Sequence, residues 1–285
     1  RKSKLGGTHP DTLGSMNGLA ECLDKQGKYD EAEPLYRTCL QLTKSKLGHT
    51  HPATLTSMND LALCLDNQGK YDEAEPLKRT CPQREKRTLG DTHPDTLISM
   101  NNLAMCLNNQ GKYDEAEALY RSCLESMKSI LGDTHPETIN TMGNFADNLS
   151  KLKRYPEAKG LFETCLERGK GVFGENHPRF LKVCCYFAEY LCDSGSLDEA
   201  FSTIESCLQS QQEVLGEEHP STLKAMHVKA GILFQQGELQ ASRTLFEACL
   251  EKREAVLGAS HPDTKKTEER VAVVTEAIGA GTTGS

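Results

Sequence analysis

The chain has 285 residues, 37% of them hydrophobic and 26% charged, with a mean hydropathy of −0.55. That balance is too polar for a membrane protein and too apolar for a disordered one, and the longest clear apolar run, Val183 to Ala188, is far short of the roughly eighteen residues that span a bilayer. With 33 basic and 41 acidic side chains the net charge is −8, so the bulk cationic surface that phosphate backbones require is missing; neither nucleic acid nor membrane is an expected partner.

The chain opens Arg1-Lys2-Ser3-Lys4, without the apolar core of a secretory leader. Its first six residues closely copy Thr43 to Gly48, so residues 1–8 read as the end of a preceding repeat, and a longer array is expected. His-Pro pairs then begin at His9, His51, His93, His135, His177, His219 and His261, always 42 residues apart and without insertion. A period of that length marks stacked supersecondary units. Six full repeats follow, over 9–50, 51–92, 93–134, 135–176, 177–218 and 219–260; residues 261–278 read as a capping helix and 279–285 as a flexible tail.

Each repeat reads as two helices. In the first, Pro10 suits the opening helical position, where its missing N–H costs nothing, and Asp11 puts negative charge at the positive end of the dipole. Met16, Leu19, Ala20 and Leu23 form the apolar stripe of helix A until Gln26-Gly27 breaks it. Helix B starts near Asp30, carries Ala32, Leu35, Tyr36, Cys39 and Leu40, and stops at Leu47-Gly48. The short loop makes the two helices antiparallel neighbours. One such pair holds too few large apolar side chains to offset the ordering of its backbone, so its second face must be buried by the next pair. The fold class this implies is all-α, a solenoid of helix pairs.

The repeats then diverge. Repeats 1 to 3 are near copies, whereas in repeat 4 Lys153-Arg154-Tyr155-Pro156 replaces the Gly-Lys-Tyr-Asp turn. Repeat 2 contains a local fault: Pro82 stands where other repeats have Leu40, Leu124 or Leu166, and Lys78 replaces the aromatic of Tyr36 and Tyr120. A proline inside a helix removes a hydrogen bond, which predicts a kink or an early end of helix B near Cys81.

Of the twelve cysteines, six fall on one repeat position from Cys39 to Cys249, and Cys22, Cys64 and Cys106 on another. They read as small core residues, reduced, in a cytoplasmic protein, because equivalent positions on packed helices are too far apart for disulfides. With no Cys-x-x-Cys pair, no metal is expected. The His-Pro histidines read as helix-start residues. No phosphate loop, His-Glu-x-x-His or Gly-x-Ser-x-Gly is present, so no catalytic residue or cofactor is expected, and the chain reads as non-enzymatic.

Met16, Leu19-Ala20, Leu23, Gly27, Tyr29, Ala32, Tyr36 and Cys39 resemble the tetratricopeptide repeat (TPR) pattern, and the 42-residue form with Leu-Gly-x-x-His-Pro and Gln-Gly-Lys-Tyr-Asp-Glu-Ala-Glu is similar to the repeats of kinesin light chains. The resemblance implies a right-handed α-α superhelix whose helices A line a concave groove. On that pattern Asn17, Asn59, Asn101, Asn102, Asn108 and Asn144 point broadly into the groove, with Lys182, Tyr186, Lys224 and His227 later in the chain. Asparagine is a poor helix former, and its amide both donates and accepts, which suits the backbone of an extended peptide. The expected function is a non-catalytic interaction scaffold that binds a partner peptide segment, in the sharper form a kinesin-light-chain-like cargo adaptor. Lys182 and Lys224 favour an acidic partner, and near-identical units allow self-association. The alternative is the regulatory or docking region of a larger enzyme or nucleotide-driven signalling protein.

Overall fold

The computed structural model describes residues 10–282. Helices A and B alternate through them: α1 (Pro10–Lys25), α2 (Tyr29–Leu47), α3 (Pro52–Asn67), α4 (Tyr71–Thr88), α5 (Pro94–Asn109), α6 (Tyr113–Leu131), α7 (Pro136–Lys151), α8 (Tyr155–Phe173), α9 (Pro178–Asp193), α10 (Leu197–Leu215), α11 (Pro220–Gln235), α12 (Leu239–Leu257) and α13 (Pro262–Thr282). Among the described residues there is no strand. The helices form two compact units, residues 1–133 and 134–285. Within each unit every helix packs on the next in the chain, and alternate helices A also touch, α1 on α3 and α3 on α5 in the first unit, α7 on α9 and α9 on α11 in the second. Each unit is thus an all-α solenoid stack of helix-turn-helix repeats.

The punctuation residues do what their chemistry dictates. Each helix A from α3 to α11 starts with proline behind a histidine whose Nδ1 accepts the backbone N–H two residues on, at 3.1–3.2 Å. His261 does the same for α13, accepting from the N–H of Asp263 at 3.1 Å. The imidazole thereby satisfies one of the orphan donors of the first turn. The turn from A to B requires a residue with positive φ, supplied by Gly27 at 76° and its equivalents. In repeat 4 that position is Lys153, φ 60°, the one described non-glycine residue in the left-handed region. The same backbone bonds hold it, with the N–H groups of Lys153 and Arg154 donating to the carbonyls of Ser150 and Leu149.

Packing within a repeat is also periodic. Ala20 and Ala32, both fully buried, let α1 and α2 approach closely. The Cys39-position thiols donate to a carbonyl of their own helix A, from Cys123 to Leu97 at 3.1 Å, Cys165 to Ile139 at 3.3 Å and Cys207 to Leu181 at 3.2 Å. Burial pushes the thiols of Cys123 and Cys165 up to about 12. All twelve cysteines are free. In the second unit the joint between α8 and α9 is aromatic, Phe162 lying 5.6 Å from Phe187 and 5.5 Å from Tyr190 between ring centroids.

Three sequence expectations need correction or lie outside the described residues. Helix α4 does not end near Cys81 but continues through Pro82 to Thr88. Pro82 is buried, so flanking packing outweighs the one missing hydrogen bond. The last helix does not give way to a tail at Gly279, since α13 runs to Thr282. Val274, Thr264 and Thr267 are buried on its inner side, and Ala272 is exposed. The anchor is the buried Arg253, whose Nη1 donates to the carbonyl of Asp263 and to Thr267 Oγ1, both at 2.7 Å. Residues 1–8, read as the end of an earlier repeat, and 283–285 of the tail lie outside the described residues.

Candidate functional site

The candidate residues sit on helices A, and the two units treat them differently. In the first unit Asn17 Nδ2 donates to Asp60 at 2.9 Å, and Asn59 Nδ2 donates to Ser99 Oγ at 2.6 Å and lies 3.5 Å from Glu85. These amides bridge one helix A to the next. Asn101 is 3% exposed, leaving a ligand little access, whereas Asn102 and Asn108 remain partly exposed. Asn108 occupies the repeat position of Asp24 and Asp66, at the far end of helix A.

In the second unit the residues converge. Asn144 on α7 is 4% exposed and accepts a hydrogen bond from Lys182 of α9 at 3.1 Å. One turn along, the Tyr186 ring lies under two ammonium groups, Lys182 at 5.4 Å and Lys224 of α11 at 4.2 Å from its centroid. Both distances are within cation–π range. Two residues that the sequence reading missed complete the cluster. Glu189 of α9 lies 3.3 Å from Lys151 and 3.9 Å from Lys224. Burial alone would raise the Glu189 carboxyl, but Lys224 and Lys151 hold it well below the usual carboxylate range. Glu189 conversely lifts Lys151, whereas in Lys224 burial is the largest single influence and lowers it, and Glu189, Cys185, Asp147 and Asp263 together raise it above its ordinary value. Burial, with Asp147 and Glu189 nearby, keeps the Tyr186 phenol protonated far above its ordinary value. Glu189 was findable, because it lies seven residues after Lys182 and so on the same helix face.

His227, on α11 one turn beyond Lys224, is not available as a charged contact. Burial and the nearby Arg253 and Lys266 push its imidazole down to about 3, while Nδ1 meets Thr267 Oγ1 at 3.1 Å and the ring lies edge-on to Phe246. Among the described residues no three His, Cys, Asp or Glu side chains group as a metal site, and no helix is long and apolar enough to cross a membrane. The arrangement is one of fixed, charged side chains on three consecutive helices A, with two partly exposed lysines over one aromatic ring.

A tetratricopeptide repeat profile matches residues 11–81, 67–129 and 95–171, and a second tetratricopeptide repeat profile matches 183–221 and 222–263. No curated protein matches the chain. Among solved structures, a Podosopora anserina chain of nearly identical TPR-like repeats, named as a candidate kinesin light chain, is 25% identical over 72% of this chain and 97% of its own, with a TM-score of 0.53. BtubC (BKLC) from P. vanneervenii is 18% identical over 84% of this chain and 93% of its own, TM-score 0.56. A Rap protein complexed with competence and sporulation factor is 12% identical over 93% of this chain and 75% of its own, TM-score 0.64. The last two are likenesses of fold.

Proposed function

Because the chain belongs to the tetratricopeptide repeat family, we propose that it is a non-catalytic scaffold that captures an extended, acidic peptide segment of a partner protein on the helix A face of its second unit. The observation that carries this reading is the pair Lys182 and Lys224, one repeat apart, both directed over Tyr186. Lys224 is 38% exposed at its side chain, so its charge is offered outward while Glu189 and the ring fix its position. A carboxylate entering there gains charge-assisted hydrogen bonds from groups already ordered, and such preorganisation lowers the entropic cost of capture. Asn144 serves as the support that aims Lys182 rather than as a direct reader, and Asn102 and Asn108 are the asparagines left to meet a peptide in the first unit.

A cargo-adaptor role of the kinesin-light-chain kind fits the 25% identity to the Podosopora anserina chain, and buried, weakly acidic thiols suit a reducing cytoplasm. The test is fluorescence polarisation with a panel of labelled Asp/Glu-rich peptides, with and without aromatic residues. Lys182→Ala/Lys224→Ala should weaken the best binder at least tenfold and flatten its salt dependence. Unchanged affinity in the double variant would remove this face as the reader.

A further inference from the structure

The helix A face of the second unit carries a row of cations that the repeat makes regular. Lys182 on α9, Lys224 on α11 and Lys266 on α13 occupy one repeat position on three consecutive helices A. The helices are joined in that order, α9 packing on α11, and His227 of α11 meeting Thr267 of α13 at 3.1 Å.

The members of the row are not equally neutralised. Lys182 donates to Asn144 of the preceding helix A at 3.1 Å, and Lys224 lies 3.9 Å from Glu189 of the preceding helix A. One period after Glu189 the sequence has Gly231, where a Cβ would meet no atom within 4 Å. Lys266 therefore finds open space at the place where Lys224 finds a carboxylate. It is exposed and, among the described residues, in no ion pair; Glu189, Asp193 and Asp263 feel its charge from farther away. Glycine inside a helix costs about 0.5–1 kcal/mol relative to alanine, so nothing in the local helix favours it at position 231. The openness of the row does not depend on where the sequence ends. Each lysine's partner position lies on the helix A before it, and Lys224 is still 38% exposed with α13 beside α11.

The spacing of the row selects a ligand conformation. The ammonium groups of Lys182 and Lys224 sit 5.4 and 4.2 Å from one ring centroid, that of Tyr186. They are separated by no more than about 10 Å, which is also the upper end of the distance between packed helices. Three residues of a polyproline II chain rise about 9 Å and bring the side chain back to the same side, whereas two residues of a strand rise only about 7 Å. Resting on the reading that this face captures an acidic segment, we propose that Lys266 is its third contact, and that the segment presents carboxylates at every third residue of a polyproline II stretch, one each to Lys182, Lys224 and Lys266.

The experiment titrates the full chain into fluorescein-labelled, proline-rich peptides of equal length, each with three glutamates, set at every second, third or fourth position. The every-third peptide should bind about threefold or more tighter than either of the others, and Lys266→Ala should weaken it by a similar factor. Gly231→Glu should reproduce that loss, because the new carboxylate would hold Lys266 as Glu189 holds Lys224; Gly231→Gln, of the same size and uncharged, should not. Equal binding of the three spacings, or indifference to either Lys266→Ala or Gly231→Glu, would overturn this inference. The acidic-segment reading would survive that result as long as Lys182→Ala/Lys224→Ala still weakens binding. Failure of the parent chain to bind any of the glutamate peptides would overturn both.

Discussion

Repeats 2 and 3 are near copies in sequence, yet they fill the centre of their helix pairs with opposite chemistry. Repeat 3 buries the aromatic Tyr120 at 1% exposure and carries Asn108 at the repeat position of Asp66. Repeat 2 buries Lys78, also at 1%, with its ammonium 2.9 Å from a carboxylate oxygen of Asp66; Asn109 of the next helix A donates to that oxygen at 3.3 Å. Repeat 1 is a third solution, Tyr36 with an acid at Asp24 that takes hydrogen bonds from Asn67 and Cys64. The helix frame is therefore indifferent to whether this site is oily or ionic, provided that the two helices change together. A charge buried by one helix is tolerated only because the other supplies its counterpart.

The largest effect should come from breaking that pair. Lys78→Ala leaves Asp66 buried and unpaired, and a loss of about 3–5 kcal/mol is expected, read as a lowered urea midpoint of the first unit. Converting repeat 2 to the chemistry of repeat 3, with Lys78→Tyr/Asp66→Asn, should instead be neutral or stabilising. A double variant as unstable as the single one would show that the site needs its charges.

Next in size is Pro82→Leu, which places in repeat 2 the residue that Leu124 supplies in repeat 3. Restoring the missing hydrogen bond should stabilise by up to about 3 kcal/mol. Hydrogen exchange of α4 should slow along with it, and unchanged stability would mean that packing around Pro82 already compensates fully.

The smallest of the three concerns repeat 1. Burial lifts the Asp24 carboxyl from 3.8 to about 6, against hydrogen bonds from Asn67 and Cys64 that lower it. The folded chain thus holds a proton that the unfolded chain releases above about pH 4. The stability this contributes is complete below the unfolded value and is lost as pH rises through about 6. Asp24→Asn, the residue that repeat 3 carries, should gain on the order of 1–3 kcal/mol at pH 7 and nothing at pH 4, in denaturation series across that range.

The helix boundaries were legible because His-Pro and Gly act locally: a cap, a fixed φ and a left-handed turn need no knowledge of the rest of the chain. The burial of Lys78 was not, since its partner Asp66 lies twelve residues away on the antiparallel helix and lysine at a core position reads first as a defect. Pro82 was read correctly as a hydrogen-bond breaker and wrongly as a helix terminator, because propensity is local and the packing that holds α4 together is not. In the candidate site, Lys182 and Lys224 could be matched by the 42-residue step, and Tyr186 follows one turn after Lys182. Lys151 could not be matched in this way, since it comes from a different position of the preceding helix A. The limited exposure of Asn101 and Asn144 depends likewise on how closely neighbouring helices A approach.

The thiol-to-carbonyl bonds carry a consequence for watching this protein move. Each of the six repeats holds one cysteine against its own helix A, and a thiol locked there must be released before a reagent can reach it. Rates of chemical labelling, resolved cysteine by cysteine, would then form a built-in set of stopwatches along the chain, timing how often each hairpin breathes and revealing which repeats open alone and which open only in company.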